Sequence, residues 1–348
     1  EPFQAHCIYA KPPFSQADTE KLLREHQIAV LKQLIPEAKE VEDKAVVTRL
    51  YSIVAMFENQ LGHMAEAKNY LDSAFMNKGK FENNNIAGMM HYIAGIYYSN
   101  KNLMEKAHEN YYQAAEYFNR NAVKPAILTE IYYDLSIIYS MWQDDEGLNE
   151  LSEAMKDLPV DFPFQQILKL TIKAKYFYAL YQNEHRMDLL DSVTKYNQEA
   201  FEVYTSTENP YDVGYVISDN YLHQAVVYSE AGKIKEAEQC FETGKKLMNP
   251  KKIDANVSLS YVSGVIAYYQ ADYELAERHL QDGLHELKKM NEEQEVDYYH
   301  SLIDFYTLLA KVYEKQELYN KALEAARNSL KYETRLFDKN SSKTIQKL

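Results

Sequence analysis

The sequence predicts an all-α protein, a solenoid of stacked helix pairs, and three observations carry that prediction. Apolar and small residues recur at helical spacing along most of the chain. Small residues stand at matching places in successive segments, Ala67 and Ala107 being 40 residues apart, Ala237 and Ala276 39 apart, and Ala276 and Ala322 46 apart. Glycine and proline, 10 and 9 in 348 residues, are too few to supply the turns of a β-rich fold.

The clearest segment is YLHQAVVYSEAGKIKEAEQCFETGKKLMNP, from Tyr221 to Pro250. Tyr221, Ala225 and Tyr228 form one stripe, Gly232 breaks the pattern, and Ala237, Phe241 and Gly244 form a second. Ala225 and Ala237 let two helices approach closely, Tyr228 and Phe241 fill the flanks, and Pro250, lacking an N–H, stops the second helix. This order of residues resembles the tetratricopeptide (TPR) repeat, a helix-turn-helix unit that stacks into a right-handed solenoid.

Taken in order, Glu1 to Phe14, with Pro2, Pro12 and Pro13, reads as an extended arm. Helices are expected from Ala17 to Leu34 and from Pro36 to Leu61, with Pro36 in a first turn where proline is tolerated. Residues 1–45 are thus an arm with lead-in helices, and residues 46–157 hold TPR-like repeats. The first repeat uses Ala55, Phe57, Gly62, Ala67, Leu71 and Ala74, and the second Gly95, Tyr98, Ala107, Tyr111 and Ala114, with Asn83 to Asn85 as the turn between them. A weaker third begins near Pro125 with Leu135, Ser136 and Tyr139, and carries Leu148 where alanine is usual. LPVDFPF, from Leu158 to Phe164, marks the least regular joint and the place where neighbour contacts are expected to be weakest. Residues 158–208 are an atypical helix pair and bend, residues 209–338 the C-terminal repeats, and residues 339–348 the start of a connector helix.

Composition narrows the function. A formal net charge of −14 with no basic tract disfavours phosphate backbones and anionic membranes, so no nucleic-acid partner is expected. Cys7 and Cys240 are the only cysteines, and Cys240 beside Phe241 reads as a small buried residue. His279 and His285, six apart on one helix, point to different faces and do not make a metal site, while His63 reads as a helix-end residue. No HExxH, Walker-type glycine loop, GxGxxG or GxSxG is present, so neither an enzyme nor a cofactor or metal is expected.

Stacked pairs leave a concave wall lined by the first helix of each, suited to an extended peptide or a partner helix. The side chains expected there are Tyr92, Ile96, Glu130, Tyr133, Asp134, Asp219, His223, Tyr261, Tyr268, Asp304 and Thr307. Each tyrosine has two readings, repeat packing or ligand contact, and each acid reads as a solvated charge or as a partner for a basic or aromatic ligand. The absence of a Lys, Arg and Asn set on these faces argues against capture of a C-terminal carboxylate.

The tail LFDKNSSKTIQKL, Leu336 to Leu348, together with the long repeats and Tyr-rich helices, is similar to the exit segment of bacterial TPR-containing membrane regulators. That resemblance implies an exported, periplasmic sensor domain binding a peptide or protein, followed beyond Leu348 by a membrane span and a kinase or helix-turn-helix output. The chain begins at Glu1, as a trimmed or matured protein would. The alternative is a cytoplasmic TPR peptide receptor or scaffold without a membrane anchor.

Overall fold

A computed structural model describes residues 16–77, 84–101, 103–121, 126–207, 213–248, 253–289 and 295–345. The arm expected at Glu1 to Phe14, together with Cys7, Asn83, Pro125 and Pro250, lies outside them. Among the described residues there are fifteen α-helices and no strand. They are α1 (Gln16–Glu40), α2 (Lys44–Gln60), α3 (Met64–Asn77), α4 (Asn84–Asn100), α5 (Met104–Asn119), α6 (Ile127–Trp142), α7 (Asp145–Ala154), α8 (Pro163–Glu184), α9 (Met187–Ser206), α10 (Gly214–Glu230), α11 (Ile234–Leu247), α12 (Ile253–Tyr269), α13 (Tyr273–Leu287), α14 (Glu295–Lys315) and α15 (Tyr319–Ile345). The chain divides into two compact units, residues 1–131 and 132–348.

In the first unit α1 packs on α2, α2 pairs with α3, and α4 lies on both and pairs with α5. Val54, Ala74 and Met90 are fully buried where α2, α3 and α4 meet. Pro36 does not open a helix as expected: it lies inside α1, and the break falls at Glu42, whose φ is 56°. The helix boundary is set instead by Asp43, whose carboxylate accepts from the N–H of Ala45 and Val46 and caps α2. Proline fits a helical φ and forfeits one hydrogen bond, a smaller signal than a capped start.

In the second unit α8 pairs with α9, α10 with α11, α12 with α13 and α14 with α15. The first helices α8, α10, α12 and α14 are laid side by side. Its core gathers Leu280, Phe305 and Val312, all essentially inaccessible. The small residues read from sequence sit where the backbones approach: Ala67, Ala107, Ala237 and Ala276 are at most 1 % exposed. Leu148, standing in the same place in α7, is likewise fully buried. A Cβ on Gly283 would come within 2.3 Å of the Phe305 ring, so α13 needs glycine for α14 to pack.

One turn closes five of the pairs. After α2, the N–H of Gly62 donates to Asn59 O and that of His63 to Glu58 O; after α10, Gly232 and Lys233 donate to Ser229 O and Tyr228 O. This is the Schellman arrangement, in which the first donor is left-handed. The same pair of bonds recurs at Gln143 and Asp144, at Ala271 and Asp272, and at Glu317 and Leu318, with φ of 55°, 62° and 60° at the first residue of each. Glycine is therefore optional at this position, although left-handed backbone costs other residues about 1–2 kcal/mol.

The joint at Leu158 to Phe164 is held more firmly than its prolines suggest. Pro163 starts α8, the Gln165 side chain accepts from the N–H of Asp161 and Phe162 at 2.7 and 3.1 Å, and Lys169 Nζ donates to Leu158 O at 2.6 Å. Phe162 has no side-chain acceptor, so only the Gln165 half of a reciprocal cap is made.

Candidate functional site

Each first helix turns one face toward its own pair and another away from it, and the residues expected on the open face fall into two groups. In the first unit Tyr92 and Ile96 are half-buried on α4. The Tyr92 ring lies 5.9 Å from that of Tyr111, and its hydroxyl bonds Glu130. Burial raises the Glu130 carboxyl above its ordinary range, with the Tyr92 bond opposing in part. These two groups satisfy each other.

In the second unit the open-face residues form a connected charge cluster. Asp219 and His223, four apart on α10, pair with Nε2 and Oδ1 3.6 Å apart. Their side chains are 51 % and 61 % exposed, and the protein packed around them acts in part against the charge of both. Burial pushes Asp219 up, but His223 and then Lys175 outweigh it and hold the carboxyl at about 2. The Asp219 charge in turn raises His223, against burial and Lys175. The pair is thus ionised over a wide range of pH.

Around this pair stand groups from four further helices. On α6, Tyr133 is 9 % exposed, and burial, followed by Asp219, Tyr215 and Asp134, raises its phenol far above the usual value. On α8, the Tyr178 ring meets His223 edge-on at 6.2 Å, while burial lowers Lys175 against the pull of Asp219. On α12, burial and then the charges of Asp304 and Glu230 raise Tyr261, whose ring packs edge-on against Phe305 at 5.4 Å. On α14, burial raises Asp304, with His300 and His223 opposing.

Two expected residues stand apart from the cluster. Tyr268 packs against Tyr269 and Tyr273 at the edge of the core. Thr307 exchanges a 2.8 Å hydrogen bond with Ser329 on α15 and lines an open groove of about 580 Å³ between α14 and α15. That groove is walled by Ala310, Leu323, Ala326 and Leu330, with Lys311, Glu314 and Glu333 among the polar groups that line it.

Lys175, Tyr178, Glu230 and His300 were not anticipated from sequence. The α8–α9 pair lacks the small-residue signature that fixes repeat register, so nothing assigned an open face to α8. A helical spacing of three between Lys175 and Tyr178, and of four and seven across Asp219, His223 and Glu230, is the signal that marks them. Cys240 is buried and its thiol, pushed up to about 12 by burial and then by Glu236, stays protonated, which removes it as a nucleophile.

No protein-family model and no curated protein matches the sequence. Among solved structures, the apo form of RapI has a TM-score of 0.62 at 10 % identity, covering 84 % of this chain and 99 % of its own. The apo form of the quorum sensor NprR from B. thuringiensis has a TM-score of 0.53 at 12 % identity, with coverage of 92 % and 96 %. A Rap protein complexed with competence and sporulation factor has a TM-score of 0.50 at 14 % identity, with coverage of 91 % and 99 %. These are TPR-like helical repeat proteins, and the all-α, TPR-type solenoid fold is the one this chain adopts.

Proposed function

We propose that this chain is a non-catalytic peptide-binding regulator that receives an extended peptide on the first-helix face of its second unit. The observation that carries the reading is the set of Tyr133, Lys175, Tyr178, Asp219, His223, Tyr261 and Asp304 on five first helices, with Asp219 paired to His223, the Tyr178 ring against His223, and the charges acting on one another. Tyrosine offers a large rigid contact with a polar tip, and charges placed on a rigid scaffold fix the register of a flexible ligand. A quorum sensor and a Rap protein complexed with a factor, among chains of similar fold, support the peptide-receptor reading over the exported sensor domain, together with the cytoplasmic placement that reading carries. No helix among the described residues is long and apolar enough to cross a membrane.

The test is direct binding of random hexapeptide pools by fluorescence anisotropy to the wild type and to three variants. His223→Ala and Tyr261→Ala are expected to weaken binding at least tenfold, about 1.4 kcal/mol. Tyr92→Phe, in the first unit, is expected to leave it unchanged. Binding that survives both second-unit changes would sink the proposal.

A further inference from the structure

Interior grooves of this fold are filled by helices. The groove of α2 and α3 takes α4, that of α10 and α11 takes α12, and that of α12 and α13 takes α14. Among the described residues no helix fills the corresponding groove of α14 and α15, which stands open at about 580 Å³. The left-handed turn residues Ala271 and Glu317 lie 46 positions apart (271 to 317) and fix the correspondence: Ser329 answers to Gly283, Leu330 to Leu284 and Glu333 to Leu287. Gly283 lies against the Phe305 ring of α14, Leu284 packs in the same core, and Leu287 is 1 % exposed. On α15 the stripe is uncovered, with Tyr319, Leu323 and Leu330 65, 52 and 61 % exposed. On the α14 wall, Lys311 and Glu314 stand where α12 has Val265 and Tyr268. An apolar stripe bordered by charges of both signs has the core-and-rim composition of a contact between separate molecules.

The stripe also reads alike from either end. Tyr319, Leu323, Ala326, Leu330 and Glu333 all line the groove, and their steps of four, three, four and three follow the seven-residue period of helices packed along a seam. Ala326 stands at the centre with one leucine on each side. Two copies of α15 running antiparallel about Ala326 bring the two alanines together, set Leu323 of each copy against Leu330 of the other, and set each Tyr319 hydroxyl against a Glu333 carboxylate. The small central residue lets the backbones approach, the leucines fill the flanks, and the opposite charges of Lys311 and Glu314 border the seam. A two-fold contact demands this kind of self-complementarity, since the same patch serves both partners. We infer that the groove is the interface of a two-fold dimer, in which α15 of a second copy fills the groove of α14 and α15 and has its own groove filled in return. Eleven residues line it, fewer than the roughly 20–30 a side of a standard interface, so the dimer forms and separates at micromolar concentrations. Dimerisation here is separate from peptide binding and does not depend on it.

Sedimentation velocity of the full chain from about 1 to 200 µM tests the assignment. The wild type is expected to pass from monomer to dimer across that range. Leu330→Glu and Leu323→Lys, at exposed positions where substitution leaves stability nearly unchanged, are each expected to weaken self-association at least tenfold. An equimolar mixture of these two variants is expected to associate again. The antiparallel pairing sets position 330 of one against position 323 of the other, so the mixed dimer joins the two introduced charges at one end and keeps the leucine pair at the other. A wild type that stays monomeric at every concentration would overturn the proposal. So would a dimer that neither variant weakens, because its interface lies elsewhere, or a mixture that stays monomeric, because the pairing is then not antiparallel about Ala326. Far-UV circular dichroism and thermal melting confirm that the variants are folded, and Leu330→Ala provides a milder change expected to weaken the dimer several-fold.

Discussion

The two units use the same helix pairs but place their charges differently. In the first, ionisable groups are consumed by the structure: Glu58, 3 % exposed on α2, is bound by Lys32 Nζ from α1 at 2.7 Å and by His63 Nδ1 from the turn at 2.8 Å, and Glu130 is bound by Tyr92. In the second, an apolar core gathers around Phe305 and Leu280, and the side chains of Asp219, His223 and Asp304 stand half-exposed or exposed. A charge tied into packing stabilises the fold, whereas one left on an open helix face remains available to a ligand. The contrast assigns stability to one set of ionisable groups and recognition to the other.

The largest expected effect breaks the second unit through its core. Phe305→Ala removes a ring that is 1 % exposed and fills the space left by Gly283, and is expected to destabilise by about 4 kcal/mol in urea unfolding. By contrast, Asp219→Asn in the same unit is expected to move stability by no more than about 0.5 kcal/mol while weakening peptide binding. Parity between these two changes in unfolding would erase the division drawn above.

The first unit is expected to respond to its buried charge. Glu58→Gln leaves Lys32 and His63 without their carboxylate and should destabilise by roughly 2 kcal/mol, less than a fully buried pair because both partners are about a third to a half exposed. The sign with pH follows from the Glu58 shift. Burial raises its carboxyl, but the bonds from Lys32 and His63 outweigh that and hold it below its ordinary range. Its contribution is therefore present above the unfolded carboxylate pKa and lost as pH falls through the folded one. Thermal melts of the wild type from pH 6 down to about pH 3 should show this loss, and melts of the Glu58→Gln variant should show less of it.

A smaller gain is expected at a turn. Ala271→Gly relieves a left-handed residue at φ 62° and should stabilise by about 0.5–1 kcal/mol, while Gly62→Ala in the first unit, at φ 78°, should destabilise by a similar amount. The smallest effect is in titration. His223 is raised chiefly by the Asp219 charge, so the stabilisation it gives is complete below the ordinary histidine pKa and lost as pH rises through the elevated one. Proton NMR of His223 should show that elevation, and Asp219→Asn should remove it.

Much of the architecture was written in residue type. Ala67, Ala107, Ala237 and Ala276 mark close helix contacts, each at most 1 % exposed, and Gly62 and Gly232 mark turns because their backbone is left-handed. Where that chemistry is absent the reading failed or fell silent. The turns at Gln143, Ala271 and Glu317 have the same geometry without the residue that announces it, and Pro36 sits within a helix that its ring only partly opposes.

The site was legible only in halves. Asp219, His223, Tyr261 and Asp304 follow from the repeat register, which local periodicity fixes. That Lys175 joins them is decided by how α8 lies against α10, a contact between residues some forty positions apart. How deeply a charge is tied in is likewise tertiary: Glu58 and Asp219 are both acids on first helices, and Lys32, brought from α1 by folding, makes Glu58 a structural tie, while Asp219 keeps its half-exposed local pair with His223. Sequence determines the helices and their spacing because these depend on side chains a few residues apart, while the environment of a charge depends on every element packed around it.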